Sequence, residues 1–303
     1  MVISGNLKPI DSLIATLLDQ NVNPLPVYVS SLKDNYSDEF INELSSTIDV
    51  GAVLNTTAFA VSSIGTYSGN RPFRNTDCPV FQVILSSNEK NTWVESSMGL
   101  GPRDIAMNVA LPEVDGRLMS RAISFKSSSE YDAKSQCAIV TYEPVQERIL
   151  FVVNLVTNWI KLKETSNEER RLAIVLSNYP NKDSRIGNGV GLDTPASAVT
   201  ILKALKNKGY LIKDLPKSSD SLMTKLRDGP TNNIEYANEK KGQAKLNLTT
   251  YETFFQMLPK QMQGEVNQRW GSPVEDPFVK NEQFILPVNF FGNVVLGIQP
   301  ARG

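Results

Sequence analysis

Apolar residues along this chain recur with two alternating periods, and that alternation lays out the fold. Ile10, Leu13, Ile14, Leu17 and Leu18 fall at helical spacing up to Gln20, with Pro9 near the start. The turn Asn23-Pro24-Leu25-Pro26 then leads into a short predicted strand, Val27-Tyr28-Val29. A second helix is expected over Ser37–Ile48, with Phe40, Ile41 and Leu44 on one face, and a strand over Ala52–Val61. Ser62–Asp77 is polar and reads as a loop, Pro79–Leu85 as a buried strand. Helical stretches near Thr92–Met98 and Arg103–Ala110, an extended run at Ile123-Ser124-Phe125 and a long amphipathic helix over Gln146–Lys163 complete the first half.

A second unit opens after Arg171 with Leu172–Leu176, an unbroken apolar run expected to be a strand buried on both faces. A loop over Ser177–Asp193 holds Gly187, Gly189 and Gly191. Thr194 then reads as a helix N-cap with Pro195 at the first helical position, and Gly209 as the stop. Residues 217–247 are polar and read as peripheral; helices follow near Thr250–Met257 and Lys260–Arg269. Phe284–Val288 and Val294–Ile298 flank the turn Phe291-Gly292-Asn293 as a C-terminal hairpin. Strands alternating with helices predict an α/β fold. The expected form is two linked parallel-sheet, Rossmann- or flavodoxin-like units, 1–165 and 166–303, with helical insertions. The pattern starts on a helix with no strand before it, which reads as a chain beginning partway through a larger protein.

Composition narrows the chemistry. The formal net charge of -1 gives no basic excess for nucleic acid or an anionic membrane. Two cysteines, Cys78 and Cys137, suit a reducing cytoplasm and neither a disulfide framework nor a zinc cluster. No N-terminal targeting pattern is visible, and no run approaches the ~18 apolar residues that span a bilayer. There is no histidine among the 303 residues. That excludes a hydrolase built on a histidine base and a histidine-ligated metal within this chain, and leaves proton chemistry to Asp, Glu, Lys or Tyr.

Two motifs bear on a site. The glycine loop sits between a strand and a capped helix, the arrangement that cradles anions on backbone N–H groups. It lacks the Gly-Lys-Ser/Thr ending of a P-loop, and its third glycine falls one residue early for a dinucleotide fingerprint. A tight crossover turn and a ligand-gripping loop both remain open. Glu113 and Asp115 stand one residue apart on an expected turn, where extended backbone would point them the same way. Such a pair accepts protons or holds a divalent cation, or is merely solvated. Arg117, Arg121 and Lys126 just downstream could meet a ligand's carboxylates or pair with nearby acids.

Four runs, in order and across nearly the whole chain, carry a family resemblance. They are NPLPVYVSSLKD at Asn23–Asp34, LPEVDGR at Leu111–Arg117 followed by SRAISF at Ser120–Phe125, RIGNGVGLDTPASA at 185–198, and GNVVLGIQPARG at 292–303. Together they resemble the cobaltochelatase (CobN) and magnesium-chelatase family, with the glycine loop following the cobalt type. The resemblance implies the tetrapyrrole-holding large subunit of an ATP-dependent chelatase, cytoplasmic and working with an AAA+ ATPase subunit, a second auxiliary subunit and further domains of its own. The implied reaction inserts divalent cobalt, as substrate, into hydrogenobyrinic acid a,c-diamide; a non-catalytic scaffold and a magnesium-type substrate are the alternatives. ATP and magnesium belong to the partner, and no cofactor is expected to bind this portion tightly.

The resemblance also assigns residues. Glu113 corresponds to an acidic residue regarded as catalytic in the magnesium branch, and is the implied base and metal contact. Its partial burial is expected, because that makes a carboxylate a better base. Asp115, Arg117, Arg185, Asn188 and Asp193 are the implied tetrapyrrole-binding residues.

Overall fold

The computed structural model describes residues 3–62, 73, 76–233 and 244–300, the side chains of 129 and 130 excepted. The chain divides into two compact units, Met1–Glu164 and Thr165–Gly303. Most of the expected loop at 62–77, and residues 234–243 of the 217–247 stretch, lie outside the described residues.

The first unit is built on a four-stranded sheet in the order β1-β2-β3-β4, from Val53–Asn55, Val80–Glu89, Leu118–Asp132 and Cys137–Pro144. β1, β2 and β3 run parallel; β4 returns antiparallel to β3. Helix α1 (Lys8–Asp19) and, near the unit's end, α6 (Gln146–Glu164) cover one face. The periodicity explains why: Leu13 and Leu17 of α1 and Ile149, Val152 and Val153 of α6 share one apolar stripe each, and they pack with Val83 and Ile123 of the sheet. Helix α2 (Asn35–Thr47) starts on Asp34, whose carboxylate accepts from the Ser37 N–H at 3.0 Å.

On the other face, Ile84, Ala122 and Phe125 pack with Trp93, Leu100 and Val109. Trp93 comes from α3 (Lys90–Glu95), Leu100 from the turn after it and Val109 from a helical run that follows. That run is composite: α4 (Pro102–Asp104), a π-helical turn over Ile105–Ala110, then α5 (Leu111–Val114). Asp104, at the start, is buried and fully occupied by neutral donors at the end of β2. It accepts from Ser86 Oγ at 2.7 Å, Ser87 N at 2.9 Å and Ser87 Oγ at 2.9 Å.

The second unit has two sheets, β5-β10-β9 and β6-β8-β7. Their strands are β5 (Leu172–Leu176), β6 (Ala244–Asn247), β7 (Val279–Lys280), β8 (Gln283–Leu286), β9 (Val288–Phe291) and β10 (Val294–Ile298). The core gathers around β10, where Val294 and Leu296 meet Leu202 of α7 (Thr194–Asn207) and Leu222 and Leu226 of α8 (Ser219–Asp228). Helices α9 (Leu248–Gln256) and α10 (Lys260–Trp270) complete the unit.

Several expectations are corrected. Both principal sheets are mixed rather than all parallel, since β4 and β9 each close theirs antiparallel. Val27-Tyr28-Val29 is not a strand: Pro24 and Pro26 remove donors beside it, and Val27 and Tyr28 are exposed. The expected strand Ala52–Val61 stops at Asn55, whose carboxamide turns the chain by accepting from Thr57 N and Oγ1. β5 is an edge strand with alternating burial, Val175 being 63% exposed. The 217–247 stretch is not all peripheral, because α8 places Leu222 and Leu226 in the core. Pro287 splits the expected hairpin arm, so that β8 joins the other sheet and β9 forms the hairpin with β10. Gly292 makes that turn with φ 71°, and a Cβ there would strike the Leu211 carbonyl oxygen.

Candidate functional site

The LPEVDGR segment is the end of a helix rather than an extended turn. Glu113 lies in α5, Asp115 caps it, and Gly116 turns the chain into β3 with φ 74°. Helical spacing sends the two carboxylates apart, so they do not point the same way. Their surroundings differ completely.

Asp115 is enclosed. Its Oδ2 accepts from Val61 N at 2.9 Å and its Oδ1 from Ser62 N at 2.8 Å. Arg117 Nη2 reaches Oδ2 at 2.8 Å, with both side chains under 10% exposed (3% and 9%). The other end of the guanidinium, Nη1, donates to Gln82 Oε1 at 3.0 Å and to the Thr57 carbonyl at 3.3 Å. Gln82 Oε1 also accepts from Asn55 Nδ2 at 2.8 Å, and Gln82 Nε2 donates to the Thr57 carbonyl at 2.9 Å. Burial lowers the Arg117 pKa, and the charge and hydrogen bond of Asp115 push back upward. Arg117 is therefore a buried tie holding residues 57–62, β2 and the helix end together. Any contact it makes with a tetrapyrrole, the role the resemblance implies, would compete with these partners.

Glu113 is exposed, which overturns the expectation of partial burial. It occupies the solvent side of α5 while Pro112 takes the packed side. Among the described residues no hydrogen bond or ion pair engages its carboxylate. Nor, among those residues, do three acidic or cysteine side chains gather closely enough to hold a metal ion.

The glycine loop belongs to the second unit. Gly187 N donates to the Ser177 carbonyl at 2.7 Å, and Ser177 Oγ to the Asn188 carbonyl at 2.6 Å, which ties the loop's two limbs. Ile186 is buried between them. Gly187 (φ 69°) and Gly191 (φ 73°) adopt the left-handed conformation, and Gly189 does not. The helix cap is Asp193 rather than Thr194, its carboxylate accepting from Ala196 N at 3.0 Å. Arg185, Asn188 and Asp193 are all exposed. So are Val190 and Leu192 at the loop's tip. Glu113, Asp115 and Arg117 are thus brought together in one unit, and Arg185, Asn188 and Asp193 in the other.

Replacing Gly187 by Ala is expected to lower stability by ~1 kcal/mol or more, through backbone strain. Its new Cβ would meet Pro195 only at an ordinary 3.6 Å. Gly189→Ala, which needs no left-handed backbone, should lose less. Urea midpoints of the two variants, compared directly, check this.

Asn55 and Gln82 are the residues of this buried network that the sequence reading missed. The signal was present: a glutamine inside the apolar run Val-Phe-Gln-Val-Ile-Leu must find partners when buried.

The sequence profile of the family described as CobN/Magnesium Chelatase matches residues 1–303. The chain belongs to that family. Among its CobN-named relatives, the aerobic cobaltochelatase subunit CobN of Sinorhizobium sp is 46% identical over 100% of this chain and 24% of its own length. CobN of Pseudomonas aeruginosa is 40% identical over 95% of this chain and 23% of its own. The solved structure of the catalytic subunit of cobaltochelatase from Mycobacterium tuberculosis superposes with a TM-score of 0.76 at 28% identity, over 99% of this chain and 25% of that one. The chain therefore spans about a quarter of the length of these CobN relatives. Among the described residues, no helix is long and apolar enough to cross a membrane.

Proposed function

We propose that this chain is the part of a cobaltochelatase large subunit that presents Glu113 to a tetrapyrrole, in an ATP-dependent insertion of divalent cobalt into hydrogenobyrinic acid a,c-diamide. The observation that carries the reading is the contrast between the two carboxylates. Asp115 is wholly engaged in the fold, while Glu113, two residues away, stands exposed and unengaged on a helix end that Asp115 and Asp104 anchor. Metal insertion removes two pyrrolic protons and delivers a dication that must shed water; a free carboxylate on a fixed support serves both steps. Family membership and the names of the relatives support the chelatase reading. The glycine loop, with Arg185, Asn188 and Asp193, is proposed as a second contact to the tetrapyrrole. An AAA+ ATPase subunit and an auxiliary subunit are the proposed partners, and the cytoplasm the proposed location.

A second reading, a non-catalytic module that holds tetrapyrrole or docks the ATPase, is favoured by the exposure of Glu113. Substituting Glu113 separates the two readings, as argued in the Discussion.

The chain alone is expected to hydrolyse no ATP, since its glycine loop runs into Asp193-Thr194-Pro195 without the lysine that a P-loop requires. Phosphate release by the purified chain measures this. Sustained turnover that co-elutes with the chain would sink the assignment of ATP chemistry to a partner.

A further inference from the structure

Two arginines of the first unit stand near each other, and neither forms an ion pair among the described residues. Arg121 lies on β3, and Arg148 in the first turn of α6. The Arg121 guanidinium stacks on the Phe151 ring, with Cζ 3.4 Å from the centroid. Arg148 lies over Trp93 at 4.7 Å, and its Nε–H donates to the carbonyl oxygen of Ala122, the residue next to Arg121. Arg148 and Phe151 are three apart on α6 and share a face, so each guanidinium lies on its own ring, Arg121 on Phe151 and Arg148 on Trp93, close enough for the two charges to interact. Burial first, and then the Arg121 charge, lower the Arg148 pKa; Glu147 offsets part of this.

The ion pairs formed among the described residues are Lys8–Glu143, Arg117–Asp115 and Lys163–Asp49, and neither Arg121 nor Arg148 takes part in one. No described acceptor takes their Nη donors. Two like charges held close repel; Glu147 offsets part of this, and a bound anion would offset more. A stacked guanidinium presents a rigid fork of N–H groups whose geometry matches a carboxylate's two oxygens. Running away from the pair along α6, Phe151, Trp159 and Leu162 are exposed at helical spacing (40%, 41% and 47%), an apolar flank with cations at its head.

We infer that Arg121 and Arg148 form a carboxylate-binding subsite that takes peripheral acid arms of the tetrapyrrole, its apolar ring lying toward the Phe151 and Trp159 flank. This rests on the tetrapyrrole reading above. It adds a contact distinct from Glu113 and from the glycine loop.

The test is spectroscopic titration of hydrogenobyrinic acid a,c-diamide into the full-length subunit and its Arg121→Gln and Arg148→Gln variants. Each variant should bind about tenfold more weakly or worse, as for loss of a charge-assisted hydrogen bond. Added salt should narrow the gap. A corrin with every arm amidated should bind wild type and variants alike. Arg121→Lys, which keeps the charge and loses the fork, should fall between. Arg148→Gln loses a main-chain bond and can disturb folding, whereas Arg121 makes its described contact only with the Phe151 ring, so Arg121→Gln carries the decision. Undiminished affinity in folded Arg121→Gln overturns the subsite. Unchanged substrate affinity with loss of subunit assembly overturns it too, assigning the pair to an acidic protein surface. If wild type fails to bind the tetrapyrrole at all, the proposed function falls, which is a different result from equal binding by wild type and variant.

Discussion

Asp115→Ala is expected to lower stability by about 3–5 kcal/mol, the loss typical of breaking a buried ion pair by removing one partner. The substitution strands three groups at once. Arg117, with its side chain 3% exposed, would keep its charge without the carboxylate beside it. The N–H groups of Val61 and Ser62 would lose the oxygens they now meet at 2.9 Å and 2.8 Å. Each orphaned donor adds a desolvation penalty of its own. Urea unfolding followed by circular dichroism measures the change.

The double variant Asp115→Ala with Arg117→Met should recover part of that loss, because removing both charges leaves no buried cation behind. If the double variant is as unstable as the two singles added together, the pair acts as two independent residues and the ion-pair account is wrong. Recovery should be incomplete in any case, since Gln82 and the Thr57 carbonyl also lose the guanidinium they now share.

The sequence was most legible where burial is one-sided and local. Leu13 and Leu17 in α1, and Ile149, Val152, Val153 and Val156 in α6, are all buried, and their spacing alone shows it. Elements that depend on a distant partner were less so. Val27-Tyr28-Val29 has strand-forming residues, but a strand needs an edge to pair with, and none is supplied among the described residues. Val175 reads as core in an apolar run, yet among the described residues β5 has only β10 beside it, so alternate residues face outward. The site divides the same way. That Glu113 and Asp115 belong to one chemically interesting segment was visible in the sequence. That Asp115 bonds Val61 and Ser62, 54 and 53 residues away, was not, because no local pattern encodes such a contact. Without it the two carboxylates look equivalent.

Their inequivalence sets the largest functional effect. Glu113→Gln should leave stability within about 1 kcal/mol of wild type, because the carboxylate is exposed and engages no described partner. The change preserves shape and removes both the charge and the proton-accepting capacity. In the full-length subunit with its ATPase and auxiliary partners, metal insertion should fall at least ~100-fold, the scale for losing a general base. Tetrapyrrole affinity should stay near wild type, since a contact needed only in the chemical step affects turnover rather than binding. Rate and affinity must therefore be measured separately, by metallation followed in absorbance and by titration without metal. Weakened binding with an unchanged turnover number would make Glu113 a substrate contact only. Full activity would remove it from the mechanism and leave the non-catalytic module as the better account. Asp115→Asn separates anchoring from chemistry. It keeps a side-chain oxygen for one backbone N–H and loses the charge that holds Arg117. Its activity should follow its stability and recover on cooling or added ligand, as that of Glu113→Gln should not.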